Sequence, residues 1–455
     1  MKNSDIFYKK LWGLVLPIAI QNLLSAIVSA SDALMLGMLD QQSLSAVSLA
    51  TQVQFVHSLF YIAILLGMTA LAAQYWGKND KRAVEQILGI ALKYSIIISL
   101  IFTLLALGCP QLLMRIFTNE ETLIILGAPY LRIVGISYLF MGISQIYLCL
   151  MKNTGRTMIS TVYGSSAIFI NIILNGILIF GLFGAPKMEI AGAALATVVA
   201  RLIELLLVLW ENKKQDVARM KLHDILHNES ILKKDYIQVT TPVMFNQLAW
   251  GLGFTTFSII MGHMGNDAVA ANALANIVKN LIACVCLGVG VGSGIMVGNE
   301  LGKGDLDKAR AYGDKLCHIA IILGMITGVI IVAISPIVLH FASNMTMQSR
   351  EYLKLMLFVC GYYIVGKSIN CTVIPGIFSA GGDTKFGLIC DTVTMWGIVI
   401  PIGLIAAFVL KLPVMVVYLL LNTDEIIKLP VVYCHYKKYR WVKNLTREQV
   451  ASCEA

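Results

Sequence analysis

Several charged residues stand inside long apolar runs of this 455-residue chain, where an ionised side chain needs a partner. Asp32 is the single charge in the run 11–36, which reads LWGLVLPIAIQNLLSAIVSASDALML. Lys279, Lys367 and Asp391 lie in later runs. A carboxylate among apolar residues can bind a cation or a proton, so Asp32 is the first candidate for a functional group.

Both acids also have a structural interpretation. The run 11–39 would form a helix of about 43 Å at 1.5 Å per residue, longer than a bilayer core, so Asp32 could stand in water near the outer interface. Asp391 comes close to the start of its run and could be an interfacial acid near Lys385.

The basic residues of the runs have two interpretations as well. Lys279 is deep in its run and could face a cavity or neutralise an acid, and the same alternatives hold for Lys367. Arg201 and Glu204 are three residues apart, a spacing that places them on one helix face and predicts a structural pair.

Composition places the chain in the membrane class. Its residues are 58% hydrophobic and 13% charged, with a mean hydropathy of +0.77, whereas soluble domains carry about 25% charged residues. The apolar stretch after MKNSDIFYKKLWG is too long for a signal peptide, so it is interpreted as a retained first helix. The ten cysteines have no metal-ligand spacing and are predicted to pack as apolar residues.

Twelve apolar runs are long enough to cross a bilayer core of about 30 Å, which needs about 20 residues. Unpaired backbone groups are not tolerated in lipid, and the alternating pattern of a barrel is absent, so the runs are predicted to be helices. They lie at about 11–36, 44–71, 87–110, 123–150, 158–183, 190–211, 237–262, 268–297, 314–341, 352–379, 386–410 and 412–434.

The loops between these runs predict the orientation. With a cytoplasmic N-terminus, the inside segments carry 24 Lys and Arg residues and the outside segments carry 4. This asymmetry predicts a plasma-membrane protein with both termini cytoplasmic. It also explains the net charge of +9 without nucleic acid as a partner. The basic, partly amphipathic stretch 212–235 predicts a helix on the cytoplasmic surface.

The two halves of the chain repeat each other. One constant shift in numbering matches Pro17 with Pro242. The same shift matches the residues of a whole loop: Gly77, Lys78 and Asp80 correspond to Gly302, Lys303 and Asp305. A slightly larger shift aligns NTGRT (153–157) with AGGDT (380–384). Each half holds an even number of spans, so both insert with the same polarity, which is the parallel repeat of certain transporters.

The predicted fold is therefore an all-α integral membrane protein with twelve transmembrane helices in two six-helix lobes. An N-terminal lobe is predicted at 1–211, a cytoplasmic linker at 212–235, a C-terminal lobe at 236–436 and a basic cytoplasmic tail at 437–455.

The sequence argues for a transporter rather than a channel or an enzyme. No repeated carbonyl loop or charged ring predicts a selectivity filter, and neither histidines nor acids cluster as a membrane enzyme requires. His57 and His318 are isolated on apolar helices and are predicted to pack or to face a pore rather than to bind metal. The residues predicted to line a central substrate cleft are Gln21, Asn246, Gln247, Lys279 and Asp391.

Several motifs together resemble the multidrug and toxic-compound extrusion (MATE) family of bacterial type. In the first half these are SDALMLG, GKNDKRA after the second span and INIILNGILIFGLFGAPKMEIAGAALAT in spans five and six. In the second half they are MGNDAVAANALA, GVGVGSGIMVGNELGKGDLDKA and PGIFSAGGDTKFG. The resemblance runs from about residue 10 to about residue 445.

The resemblance implies a coupling site in the N-terminal lobe. A carboxylate in the first helix couples transport to Na⁺ or H⁺ in that family, and here it matches Asp32. Its partners match Asn171 and Asn175, four apart and hence on one helix face, together with Thr197. These oxygens are hard ligands suited to Na⁺. Some relatives have a second acid where Asn175 stands, so the choice between Na⁺ and H⁺ stays open.

Two departures from the family pattern concern the C-terminal lobe. Some branches carry carboxylates in the seventh and tenth helices, but the seventh span here has no acid and the tenth holds Lys367. Asp32 itself corresponds to Phe257 in the repeat. Coupling is therefore predicted to be confined to the N-terminal lobe.

The sequence thus predicts a secondary active efflux antiporter and not an enzyme. It would export organic, cationic and amphipathic compounds in exchange for Na⁺ or H⁺ by alternating access of two lobes. It would need no cofactor, act as a monomer and have small-molecule substrates and the lipid bilayer as partners. A flippase for lipid-linked precursors is the alternative, since Lys279 and Lys367 could hold a pyrophosphate, and a non-transporting sensor or scaffold is a more distant one.

Overall fold

The structure, a computed structural model, describes residues 2–214, 218–226, 230–342 and 345–447, and these residues form helices and no strands. Eleven helices within these ranges are long and apolar enough to cross a membrane. The predicted all-α architecture is confirmed. The helices are α1 (Lys2–Gly37), α2 (Gln41–Gly77), α3 (Lys81–Gly108), α4 (Pro110–Arg115), α5 (Glu121–Asn153), α6 (Thr157–Phe180), α7 (Glu189–Lys214), α8 (Leu222–Leu226), α9 (Ser230–Gly262), α10 (Asn266–Gly302), α11 (Leu306–Phe341), α12 (Met347–Cys371), α13 (Thr384–Thr392), α14 (Ile400–Leu404), α15 (Val414–Leu421) and α16 (Asp424–Tyr436).

Two spans contain π-helical turns. In the first span, α12 continues directly into a π-helical turn at Thr372–Phe378. In the second span, the π-helical turn Val393–Val399 joins α13 to α14, and a further turn, Ile405–Val409, follows α14. Such turns add one residue to a helical repeat and change the direction in which the following side chains point.

The last predicted span is not one helix. Its residues form α15 and α16, which are separated at Asn422 and Thr423. Both helices are too short to count among the eleven, although together they occupy the predicted run 412–434.

The predicted surface helix at 212–235 is much shorter than expected. The helix α7 continues to Lys214 and α9 begins at Ser230, so α8 is the one separate helix that the described part of this stretch contains. Residues 215–217 and 227–229 of the predicted linker and residues 448–455 of the predicted tail lie outside the described residues.

The predicted repeat is confirmed by the helix boundaries. The shift that matches Pro17 with Pro242 also places both ends of α2 on the ends of α10 and the start of α3 on the start of α11. When this shift is increased by one residue, the start of α5 matches the start of α12. When it is increased by two residues, the start of α6 matches the start of α13. Such a small drift across six helices means that the halves share one order of elements.

The matched loops after α2 and α10 also share their local conformation. Asn79 and Gly304 are equivalent by the repeat, and both have positive φ, 64° and 82°. Asp80 accepts a hydrogen bond from the first turn of α3 at 3.0 Å, and Asp305 accepts one from the first turn of α11 at 3.1 Å. A carboxylate at this position satisfies a backbone N–H that the helix leaves unpaired.

The chain forms two compact units. The smaller unit comprises 12–65 and the described residues from 88 to 230, and in it α7 packs against α5 and α6. Buried apolar residues of α1, α2, α5, α6 and α7 form one cluster that includes Leu36, Val47, Leu131, Ile179 and Ala193.

The larger unit comprises 2–11, 66–87 and the described residues from 231 onward. In it α12 packs against α10 and α11, and its buried apolar cluster includes Ala271, Val278, Leu357, Ile364 and Tyr418.

Gln74, near the end of α2, holds the chain that follows α16. Its Nε2 donates to the carbonyl oxygens of Ala380 at 2.6 Å and Lys443 at 3.1 Å. Its Oε1 accepts from the Leu445 N–H at 2.6 Å. One buried amide thus pairs three backbone groups of two separate segments.

Trp441 and Arg447 anchor the same segment, residues 437–447, which we call the tail strap. Trp441 is 0% exposed, and a Cβ at either Gly313 or Gly381 would collide with it. Arg447 makes two hydrogen bonds of 2.7 Å to the Asp235 carboxylate. Bidentate pairing and close packing fix the tail strap on the larger unit.

Candidate functional site

Asp32 lies in the last two turns of α1 and is half-buried. Its Oδ1 accepts a hydrogen bond of 2.6 Å from Nδ2 of Asn175 on α6. Among the side chains that the structure describes, no Lys, Arg or His lies within ion-pair distance of Asp32. Its charge is therefore met by an amide dipole alone.

The hydrogen bonds continue from α1 through α6 to α7. Asn175 Nδ2 also donates to Asn171 Oδ1 at 3.3 Å, and Asn171 Nδ2 donates to Thr197 Oγ1 at 3.3 Å. Thr197 donates in turn to the carbonyl oxygen of Ala193 at 3.1 Å. The four residues predicted to form the coupling site thus lie together in one chain of contacts.

One acceptor in this chain has no donor. Asn175 is 1% exposed, and its Oδ1 is buried without a hydrogen-bond partner. Leaving such an oxygen unpaired costs about 1–3 kcal/mol, so the position favours a donor or a cation. The Asp32 carboxylate, the Asn171 and Asn175 amide oxygens and the Thr197 hydroxyl form a set of hard ligands that fits Na⁺.

Apolar residues surround the site. Leu36 of α1, Ile179 of α6 and Ala193 of α7 belong to the buried cluster of the smaller unit, which also includes Tyr130 of α5. These walls exclude water from the side of the protein interior, which strengthens the interaction of Asp32 with any cation that enters.

Gln21, predicted to line a substrate cleft, is buried on α1 about three turns before Asp32. It packs so closely against Gly164 of α6 that a Cβ there would collide with its Nε2. Its Oε1 has no hydrogen-bond partner. Gln21 therefore lies inside the smaller unit, on the same pair of helices as Asp32 and Asn175.

Asn246 and Asp391, also predicted for the cleft, lie together in the larger unit. Asn246 Nδ2 on α9 donates to Asp391 Oδ2 on α13 at 2.9 Å, and Lys428 Nζ on α16 contacts Asp391 Oδ1 at 2.9 Å. The ion-pair partner of Asp391 is thus Lys428 and not Lys385, the residue suggested by sequence proximity. Asp391 also comes two residues before the π-helical turn that starts at Val393.

Three residues of this cluster were missed by the sequence interpretation: Asp424, Glu425 and Lys428. They occupy the first two turns of α16, and all are buried. Lys428 Nζ lies 3.1 Å from Glu425 Oε2 and 3.9 Å from Asp424 Oδ2. The signal was present as NTDEIIKLP inside the last apolar run, where a mean over the whole run hides three charges.

Lys367 and Lys279 complete the group. Lys367 Nζ lies 3.2 Å from Glu425 Oε1 and 5.3 Å from the ring centroid of Trp250. Lys279 Nζ lies 4.8 Å from the ring centroid of Tyr363. Lys367 was expected either to face a cavity or to neutralise an acid, and its contact with Glu425 matches the second alternative. We call Lys279, Lys367, Asp391, Asp424, Glu425 and Lys428 the charged cluster.

A small open recess adjoins the charged cluster. It is lined by Trp250, Asp391, Thr394, Met395, Asp424 and Lys428. Gln247, the remaining residue predicted for the cleft, is half-buried on α9.

The other polar residues considered from the sequence make contacts outside these two groups. The Arg201–Glu204 pair is confirmed, with Nη1 and Oε2 2.7 Å apart, and Glu204 also accepts from Ser144. His57 is fully buried, stacks on Tyr138 and lies 3.0 Å from Ser99 Oγ. His318 is exposed and contacts the carbonyl oxygen of Asp314.

Comparison with known proteins gives consistent matches over nearly the whole chain. A family model described as MatE matches residues 17–177 and 242–405. The chain is 22% identical to "Uncharacterized transporter YisQ" of Bacillus subtilis, with 95% of each chain covered. It is 23% identical to "Probable multidrug resistance protein NorM" of Thermotoga maritima, covering 97% of this chain and 95% of that one.

A solved structure agrees with the fold. It is described as the outward-facing conformation of a multidrug resistance MATE family transporter of the MOP superfamily, and the similarity has a TM-score of 0.86. The sequences are 18% identical, and 95% of each chain is covered. At this identity the likeness supports the fold alone.

Proposed function

Because this chain belongs to the MatE family, the multidrug and toxic-compound extrusion transporters, we propose that it is a secondary active efflux antiporter of the plasma membrane. It exports organic, cationic and amphipathic compounds in exchange for Na⁺ or H⁺. One observation carries the proposal: Asp32 is a half-buried carboxylate whose described contacts include an amide donor but no basic side chain.

The coupling cation is a substrate of this cycle, and the residues of α1, α6 and α7 would bind it. A Na⁺ ion would be held by the Asp32 carboxylate and by oxygens of Asn171, Asn175 and Thr197. A proton would instead neutralise Asp32 and give it a hydroxyl donor, for which the unpaired Asn175 Oδ1 is an acceptor. In both cases binding removes one buried negative charge.

Alternating access of the two six-helix lobes would connect this binding step to export. A cation can shift the equilibrium between two orientations only by binding them unequally. The hydrogen bonds of Asp32 and Asn175 join α1 to α6, so a change of charge at Asp32 alters how these helices contact each other. The excess of Lys and Arg in alternate loops supports cytoplasmic termini.

The flippase alternative loses its main support. It relied on Lys279 and Lys367 to hold a pyrophosphate, but the Lys367 ammonium contacts Glu425. Lysines that already neutralise carboxylates are poor binding groups for another anion.

The test is transport by purified protein in liposomes. With an imposed Na⁺ or pH gradient, Asp32→Asn should lower uphill transport of a fluorescent organic cation by at least about a hundredfold, because a coupling residue acts in every cycle. Asp307→Asn, which changes a 95% exposed carboxylate, is the matched control and should transport like the parent. Uphill transport by Asp32→Asn at the parental rate would refute the proposal.

A further inference from the structure

The charged cluster of the larger unit is neutral by itself. It holds three carboxylates, on Asp391, Asp424 and Glu425, and the ammonium groups of Lys367 and Lys428. The third ammonium, on Lys279, interacts electrostatically with Asp424 and Glu425. The site around Asp32 holds one carboxylate and no basic side chain among the described contacts. The two groups of buried acids thus differ in net charge by one unit.

Lys428 is the one ammonium that reaches all three carboxylates. Its Nζ lies 2.9 Å from Asp391, 3.1 Å from Glu425 and 3.9 Å from Asp424. The side chain is only 6% exposed and comes from α16, within the same two turns as two of the acids. A small monovalent cation bound by these carboxylates would have to occupy the same position.

The acids would not tolerate an empty position. Glu425 is 1% exposed, and its two oxygens are used by Lys367 at 3.2 Å and Asn370 at 2.8 Å. Asp424 has Lys428 as its sole described ion-pair partner. Buried carboxylates without a counter-charge bind a cation or take up a proton, so removal of the Lys428 charge should create a demand for one of these.

The repeat places a fixed cation at the same point of both halves. The shift that aligns NTGRT with AGGDT also matches Pro186 with Pro413 and Met188 with Met415, and it then matches Arg201 with Lys428. Arg201 is neutralised within its own helix by Glu204 at 2.7 Å, and the described contacts of Asp32 include no basic side chain. In the second half the equivalent cation points into the group of acids.

We propose that the Lys428 ammonium is the resident cation of the charged cluster and excludes a second mobile cation, so that each transport cycle couples to one Na⁺ or one proton at Asp32. The statement that Asp32 couples cation binding to transport rests on the proposed function, but the exclusion of a mobile cation by Lys428 can be tested separately. Lys428 is a specificity-determining residue in this view, because it limits the number of coupling cations.

The experiment counts cations bound by purified full-length protein. Equilibrium binding of ²²Na⁺ at pH 8 and proton uptake between pH 8 and pH 5 are measured for the parent, Asp32→Asn, Asp32→Asn/Lys428→Met and Asp32→Asn/Lys428→Arg. We expect the parent to bind one cation and Asp32→Asn to bind none above background. The double variant Asp32→Asn/Lys428→Met should again bind one cation, and Asp32→Asn/Lys428→Arg should bind none.

The proton counts are taken as differences between variants, because other groups titrate near Lys428. These are Asp424 and Glu425 on α16, Asp391 and Cys390 on α13, Lys279 on α10, and Tyr363, Lys367 and Cys371 on α12. All are common to the four proteins except the substituted residue.

Two results would overturn the inference. One is a cation still bound by Asp32→Asn, because a second mobile cation would then bind with Lys428 in place. The other is no extra cation in the Met double variant when it elutes as a single folded species. If that variant does not fold, the Asp32→Asn result decides alone. Failure of the proposed function appears elsewhere, as a parent protein that binds no cation and transports nothing uphill.

Discussion

Two groups of acids in this protein differ in the partners that meet their charge. Asp32 is paired with the amide of Asn175, whereas Asp391, Asp424 and Glu425 are paired with lysines. Both groups lie on helices that the internal repeat relates to each other. The shift that matches Arg201 with Lys428 also matches Thr197 of the first group with Asp424 of the second. A duplicated scaffold has thus kept its helices and changed its charges.

Under the proposed function, this difference separates a cation-binding site from a structural cluster. A carboxylate with a fixed lysine needs no further cation, and the pair holds its helices together, as Lys428 on α16 does for Asp391 on α13. A carboxylate with only an amide keeps its charge available to a mobile cation. Perturbation of an acid is therefore expected to affect stability in the larger unit and transport in the smaller one.

The largest expected effect on stability is at Glu425. Glu425→Gln should lower the free energy of unfolding by about 3–5 kcal/mol, because Lys367 and Lys428 then share two carboxylates instead of three. Asp32→Asn, which removes a charge with no ionic partner among the described residues, should change it by about 1 kcal/mol or less.

Thermal denaturation of the purified variants in detergent measures this contrast. Glu121→Gln, at an acid whose side chain is 69% exposed, is the matched control and should denature like the parent. Equal destabilisation by Glu425→Gln and Asp32→Asn would remove the distinction between the two groups of acids.

An intermediate effect is expected at Thr197, where the comparison can be sharpened to the choice of ion. Thr197→Val keeps the shape of the side chain but removes its hydroxyl oxygen. The Na⁺ concentration that gives half-maximal transport should rise by about 5- to 10-fold, which corresponds to a loss of about 1 kcal/mol of Na⁺ binding free energy. Thr197→Ser keeps the hydroxyl and should stay close to the parent. Unchanged Na⁺ half-saturation in the valine variant would exclude Thr197 from the ligand set.

The smallest effect is expected at an ion pair that belongs to neither group. Lys187 and Glu189 lie 3.1 Å apart, and their side chains are 56% and 60% exposed. Lys187→Ala should change the free energy of unfolding by about 0.5 kcal/mol or less, because water and salt screen such a pair. A larger shift in the denaturation temperature would mean that burial is not what distinguishes the charged cluster.

The arrangement of the first site follows closely from the sequence. Asn171 and Asn175 are four residues apart, so a helix places them on one face, and the family pattern adds Asp32 and Thr197. The structure brings all four into one chain of hydrogen bonds. Their role in coupling stays a prediction, as do the lobe boundaries at residues 211 and 236.

The charged cluster could not be found in the same way, for two physical reasons. Hydropathy averaged over a span hides Asp424, Glu425 and Lys428, because the apolar residues around them dominate the mean. In addition, the partner of Asp391 is far along the chain on α16, and only the packing of that helix decides between Lys428 and the nearer Lys385. Long-range pairing of charges depends on tertiary contacts that helical periodicity does not encode.

The tail strap also has a consequence for how the protein is made. The ribosome synthesises residues 437–447 after every helix described above, yet Trp441 fills a gap between Gly313 and Gly381, and Leu445 satisfies Gln74. Until those residues leave the exit tunnel, the Oε1 of Gln74 lacks the Leu445 donor and the gap beside Gly313 is not filled by Trp441. Completion of the larger unit therefore waits for the synthesis of residues 437–447, and a chain that ends before them leaves this gap unfilled.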